Sequence, residues 1–434
     1  MNYKSCKDIE TSLYIAPNEI RSCCQRYFYG GKMRGDAKLL EIDDSGLSPS
    51  YEDIKNSRYT LFEKIQNNQS ESCLGCPFLY ETENKPLFDG KINHLSVEHH
   101  SVCNLRCTYC SPIYYGGKRS KYNVVEFIKS LSDAGSFQEC KQVVWGGGEP
   151  TLDKSFEIIV EAINKSANPK LYHRVFTNSV RYHEAITKFL KQNLIKIVTS
   201  IDAGSSAKFK QIRGKDKFFD VFYNLKKYSD INSNNVTIKY ILTNDNIDKE
   251  ELLGFASMCK KYKLENCCYQ ISMNYKYEDL NINFLKSIIF LMGAMKKNNI
   301  YKFFCDDHIA HRFRKLSLSQ KEEINIFLKK NNLENILITN RQIEHINIFG
   351  AGDITKNILD KSILIKKIKN IYIFDSDKSK IGTKINEITI LDPKQILENN
   401  YPIYISSAQS YDDIFTSIIN LNIDTKRIIS GLIV

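Results

Sequence analysis

"CNLRCTYC", residues 103–110, sets three cysteines in a C-x3-C-x2-C spacing. It directly follows "KINHLSVEHHSV" (91–102), which reads as a strand and its exit. From residue 91 onward short apolar runs alternate with longer amphipathic ones, the pattern of parallel βα repeats. Six strands are expected: "INHLSVE" (92–98), "QVVWG" (142–146), "HRVFTN" (173–178), "KIVTSID" (196–202), "VTIKYIL" (236–242) and "CCYQISM" (267–273). Helices fill the gaps, among them "VVEFIKSLSDAG", which stops at a glycine, and "EELLGFASMCKKY". The expected fold is α/β, a partial (β/α)6 TIM-like barrel over residues 91–330. Functional residues of such a fold lie just past the C-terminal strand ends. The cysteine loop follows strand one and "GGGEP" follows strand two, so both fall there.

A chain of 434 residues exceeds one small core. A second βα pattern starts at "HINIFGAGDITKNIL" (345–359), after a polar stretch near 329–342 that reads as a linker. Its later strands are "NIYIFD" (370–375) and "PIYISS" (402–407), with a helix around 411–421. The expected organisation is a small cysteine-rich domain over 1–90, the barrel over 91–330 and a Rossmann-like domain over 343–434. The longest apolar run, "SIIFLMGAM" (287–295), is far short of the ~20 residues that cross a membrane. The first residues lack the charged-then-apolar plan of a secretory signal, which makes the cytoplasm the expected location.

The net charge of +11 is unevenly spread. Residues 91–340 hold 38 basic and 25 acidic side chains, against 11 and 14 before them and 12 and 11 after. The barrel segment therefore carries the excess, which suits an anionic substrate as well as a solvated surface. No nucleic-acid recognition module or basic–aromatic run accompanies it.

Thirteen cysteines without an export signal argue for metal rather than disulfides. An iron–sulfur cluster on three thiolates keeps one iron free of protein ligands. Structural zinc wants four closed ligands, for which His99 and His100 lie close in sequence. Spacing alone leaves iron–sulfur, zinc and a reactive thiol loop open.

With its neighbours the loop resembles the signature of the radical S-adenosylmethionine (radical SAM) superfamily. The pieces are C-x3-C-x2-C after strand one, Tyr109 before the last cysteine, "GGGEPTL" after strand two and "SID" ending strand four. The resemblance implies that Cys103, Cys107 and Cys110 bind a [4Fe–4S] cluster whose fourth iron is chelated by S-adenosylmethionine (SAM). It implies backbone contacts from Gly147 and Gly148, and an acceptor in Glu149, for the SAM ammonium. Ser200 and Asp202 would meet the ribose, Arg213 and Asn178 other polar groups of SAM, and Tyr109 the adenine. The implied chemistry is reductive cleavage of SAM to a 5′-deoxyadenosyl radical that abstracts a substrate hydrogen, with flavodoxin or ferredoxin as electron donor.

The first segment carries Cys6, Cys23, Cys24, Cys73 and Cys76. "YIAPNEIRSCC" (14–24) reads as a hairpin turning at Pro17–Asn18, and "CLGC" has a metal-gripping C-x2-C spacing. With "CC", "MRGDAKL" and "CLGCP", the segment resembles the twitch domain, the short form of the SPASM domain. The resemblance implies an auxiliary [4Fe–4S] cluster on Cys6, Cys23, Cys73 and Cys76, with Cys24 the rival of Cys23. Twitch domains usually follow the barrel, and this one precedes it. They usually carry glycine where this chain has Asn18, a residue that tolerates positive φ. Cys140, Cys259, Cys267, Cys268 and Cys305 read as mostly buried thiols without ligand spacing. "CDDHIAHRF" (305–313) offers weaker metal-ligand chemistry.

In the last segment "IFGAG" with Asp375 ending the next strand fits the opening of a Rossmann-like fold, although Thr355 stands where the third glycine belongs. "FDSDKSKIGTKI" is similar to small Rossmann-like domains attached to enzymes of sugar and surface-polysaccharide metabolism. The expected function is a radical SAM enzyme acting on an anionic small molecule, such as a nucleotide-linked sugar. A peptide-modifying maturase is the nearest rival, and a metal-stabilised nucleotide-binding scaffold the rival of another class.

Overall fold

The hairpin forms where the sequence places it. In the computed structural model, Ser12–Ile15 and Glu19–Arg21 run antiparallel with Ile15 opposite Ile20, and the Ala16 N–H donates to Glu19 O at 3.0 Å. Asn18 departs from expectation: it does not adopt positive φ. Its carbonyl instead accepts the Ile42 N–H at 2.8 Å, so a neighbouring strand end fixes the turn. The structure describes residues 2–110, 116–274, 281–306, 309, 316–333, 343–361, 365, 368–407 and 410–429.

These residues divide into two compact units, Met1–Asn178 with Tyr182–Val198, and Ser179–Arg181 with Thr199–Val434. In the first, the strands His94–Val97, Gln142–Trp145, Tyr172–Phe176 and the start of Ile195–Ser200 are parallel neighbours. Val97, Trp145 and Val175 stand level with one another, which brings the loops beyond them to one edge. Ser12–Ile15 adds a further parallel strand, pairing Ser12 with His94 through Ile15 with Val97. All four of its residues are buried, as expected of a parallel strand covered on both faces.

Buried Arg58 holds this added strand. It projects from the helix Tyr51–Gln66, which starts at a Ser50–Asp53 capping box. Its Nη2 donates to Ser12 O at 3.0 Å and its Nη1 to Lys91 O at 3.3 Å, which ties together the starts of the two paired strands. Burial lowers its pKa to about 10, leaving it charged at neutral pH.

The second unit contains Val236–Leu242, Cys268–Met273 and Phe303–Cys305, all parallel. The short Phe303–Cys305 strand was not among the expected six. The Rossmann-like part has a parallel sheet in the order Ile388–Leu391, Asn370–Phe374, His345–Phe349, Ile403–Ile405, Ile428–Ile429, a doubly wound arrangement. It shares an apolar cluster with the preceding strands: Cys268 and Phe304 pack with Phe349, Phe374 and Tyr411. The rings of Phe304 and Tyr411 stack at 5.2 Å, and Lys302 Nζ meets Asp412 Oδ1 at 2.6 Å. His308 and His311 of "CDDHIAHRF", and 334–342 of the expected linker, lie outside the described residues. No helix among the described residues is long and apolar enough to cross a membrane.

Arg58→Met should strip two strand-start carbonyls of a charged donor. Denaturant unfolding should show a loss of about 2–3 kcal/mol.

Candidate active site

Beyond Val97 the chain is drawn across the end of the next strand by backbone bonds. Gly148 N–H donates to His100 O at 2.9 Å and Glu149 N–H to Val102 O at 2.8 Å. The glycines are needed for this approach. A Cβ on Gly148 would stand 2.1 Å from Val102 O, and one on Gly147, where φ is +80°, 2.7 Å from His100 O. The turn thus fixes the segment that delivers Cys103.

In the loop itself Leu105 is buried while Cys103, Cys107, Tyr109 and Cys110 are half-buried. Cys110 N–H donates to Cys107 O at 3.1 Å, closing the C-x2-C turn. Leu105 N–H approaches Cys103 Sγ at 3.5 Å and Asn178 Nδ2 approaches it at 3.8 Å. Donors aimed at sulfur favour the thiolate, the form that binds metal. Three soft thiolate donors, accessible and held in one loop, fit the iron–sulfur cluster that the motif implies.

Glu149 is buried, and both of its carboxylate oxygens accept hydrogen bonds. Oε1 accepts from Thr151 Oγ1 at 2.7 Å, Thr151 N at 3.3 Å and Thr177 Oγ1 at 2.7 Å; Oε2 accepts from Asn178 N at 2.6 Å. Burial pushes its pKa up, and these bonds oppose the shift. As N-cap of the turn Pro150–Leu152 it also starts a one-turn helix with proline at the first position. Asn178 extends the network, its Nδ2 donating to Asn104 Oδ1 at 2.6 Å. Cys103, Gly148, Glu149 and Asn178, read separately from the sequence, therefore form one hydrogen-bonded assembly.

Ser200, Asp202 and Arg213 lie in the second unit. Asp202 is fully buried with φ +62°, and its Oδ1 accepts Ile241 N–H at 2.7 Å. Its Oδ2 meets Arg213 Nη1 at 3.0 Å, and Asn246 Nδ2 donates to its carbonyl at 2.9 Å. Arg213 ends the helix Ser206–Arg213 and is buried before the left-handed Gly214. Asn246, absent from the sequence reading, sits in "TNDN", where a polar run directly after a strand was the available signal.

Cys6, Cys23, Cys73 and Cys76 line one pocket with apolar Ile9 and Leu79, whereas Cys24 is exposed. Burial pushes the Cys6 thiol up to about 12 and Cys73 up to about 11. Metal binding has to displace those protons. The donor set suits a four-thiolate metal centre. Of the other cysteines, Cys140, Cys259, Cys267 and Cys268 are buried and Cys305 is partly so.

Gly148→Ala should force the thiolate segment away from the turn. Anaerobic reconstitution should then leave SAM binding weakened at least ~10-fold, measured by equilibrium dialysis against wild type.

Residues 97–256 match the family model described as Radical SAM superfamily, and residues 342–429 one described as C2185-like, N-terminal. GTP 3',8-cyclase of Vibrio atlanticus is 29% identical over 178 residues, covering 40% of this chain and 52% of that protein. The Haemophilus influenzae enzyme of the same name is 31% identical over 150 residues, covering 34% and 44%. The matches thus span about half the length of these curated relatives. A crystal structure of Streptococcus suis SuiB bound to S-adenosylmethionine superposes with a TM-score of 0.40 and 13% identity, covering 63% of this chain and 60% of that one. Residues 97–256, which hold the thiolate loop, the glycine turn and the strand-end polar residues, thus form a radical SAM domain, and a [4Fe–4S] cluster with SAM is the cofactor set that this family implies.

Proposed function

We propose that the protein abstracts hydrogen from an anionic, nucleotide-linked small molecule, with Cys103, Cys107 and Cys110 holding the catalytic cluster. The observation that carries this reading is the single assembly of Cys103, Gly148, Glu149 and Asn178 at the strand ends. Bound there, the cluster and SAM supply a hydrogen-abstracting radical by one-electron reductive cleavage. The chain's own residues hold and shield that chemistry. Asn178 and the Leu105 amide polarise toward the Cys103 sulfur, and Glu149 locks the turn to the next strand. Tyr109, Gly147, Gly148, Ser200, Asp202 and Arg213 are assigned to SAM.

Support for the substrate class comes from the basic excess of residues 91–340 and from the doubly wound C-terminal sheet. The names of the curated relatives refer to cyclisation of GTP, itself an anionic nucleotide. In the C-terminal sheet Asp375 accepts the Ala351 N–H at 2.7 Å and meets Lys380 at 3.3 Å, so the glycine turn is already capped by a carboxylate. That favours a recognition or docking role for this domain over pyrophosphate binding.

Within the same reading, residues 1–90 form a twitch-like domain, 91–330 the catalytic barrel and 343–434 the appended Rossmann-like domain. Cys6, Cys23, Cys73 and Cys76 hold an auxiliary [4Fe–4S] cluster. A cluster with four thiolates has no iron free for substrate, which leaves it electron transfer, with flavodoxin or ferredoxin as the donor to the protein.

Anaerobically reconstituted protein should hold about eight irons and, on reduction, convert SAM to methionine and 5′-deoxyadenosine. Cys107→Ala should abolish that cleavage. The Cys73→Ala/Cys76→Ala pair should fall to about four irons and lose substrate turnover while still binding SAM. Wild-type protein that yields neither product would refute the catalytic reading. A full iron complement in the double variant would remove the auxiliary cluster alone.

A further inference from the structure

Three donors outside the thiolate sites converge in the first unit. His99, His100 and Asp153 each offer a ligand atom within 4.8 Å of the others'. Both histidines directly follow Glu98 at the end of the first barrel strand, and Asp153 closes the turn that Glu149 begins. The backbone bonds between the two turns therefore also assemble this cluster.

We propose that His99, His100 and Asp153 bind one divalent transition-metal ion of the zinc class, separate from the iron–sulfur centres. His99 and His100 are each 7% exposed, and His100 Nδ1 is buried without a hydrogen-bond partner. Buried polar atoms are nearly always paired, and leaving one unsatisfied is costly. His99 Nε2 lies 2.8 Å from Asp153 Oδ2, so an ion shared by the three groups takes the place of the proton between those two atoms, with His100 as the third donor. Asp153 is itself held, its Oδ1 accepting the Ser155 N–H at 3.0 Å.

The donor chemistry selects the ion. Two imidazoles and a carboxylate suit zinc or another first-row divalent metal and leave a coordination position for water or ligand. The rings meet edge to face at 4.9 Å, so neither blocks the other by stacking. A pocket lined by His99, His100, Arg119, Tyr122 and Asp153 gives the ion a route from solvent.

The test uses the full chain with its iron–sulfur centres reconstituted anaerobically, dialysed against zinc chloride. Wild type should retain about one zinc per chain, with a nitrogen/oxygen shell at about 2.0–2.1 Å by zinc-edge X-ray absorption. His99→Ala/His100→Ala should bind zinc at least ~10-fold more weakly at unchanged iron content. If that variant does not fold, Asp153→Asn, which keeps the shape of the hydrogen bond and removes the charge, should weaken zinc ~10-fold or more. No retained zinc, a sulfur shell near ~2.3 Å, or unchanged affinity in the folded variant would overturn the proposal.

Discussion

Two backbone hydrogen bonds, Gly148 N–H to His100 O and Glu149 N–H to Val102 O, govern the site. They join the exits of two neighbouring strands past the edge of the sheet, where strand pairing would otherwise have ended. The chemistry at the strand ends of the first unit hangs from that splice. The thiolate loop begins at Cys103, immediately after it, and the histidine pair lies on one side of it with Asp153 on the other. Because no side chain fits at residue 148, the splice tolerates only glycine there.

Glu149 makes the splice rigid in the second direction. A carboxyl group at this depth is costly unless its oxygens are satisfied, and here donors from Thr151, Thr177 and Asn178 surround it. The result is a hydrogen-bonded hub that binds one strand exit to the next and presents Asn178 to the thiolate loop. Asp202 repeats the logic in the second unit: a fully buried carboxylate at a strand end, holding a backbone amide and Arg213.

Where local pattern and spatial neighbourhood coincide, the chain is readable from its sequence. The six strands from 92 to 273 were legible from their apolar runs, and the cysteine loop and "GGGEP" from composition and spacing. Ser12–Ile15 was legible as half of a hairpin but not as a barrel-side strand, because its parallel partner lies far along the chain and "SLYI" has no periodicity to announce it. Phe303–Cys305 has only three residues, too few for any pattern. Arg58 looks like an ordinary solvent-facing helix residue, and only the two carbonyls above it reveal its purpose. The partners of Glu149 were half visible: "TN" ends an apolar strand, a polar pair that local burial alone does not explain. Asn18 shows the opposite error, a familiar residue substitution read as a backbone conformation that the turn does not use.

The parallel pairing of Ser12–Ile15 with His94–Val97 has a consequence for how the chain is made. Ser12–Ile15 leaves the ribosome before its hydrogen-bonding partner, which is translated roughly 80 residues later. Until then the early cysteines belong to a segment whose central strand has one edge unclaimed.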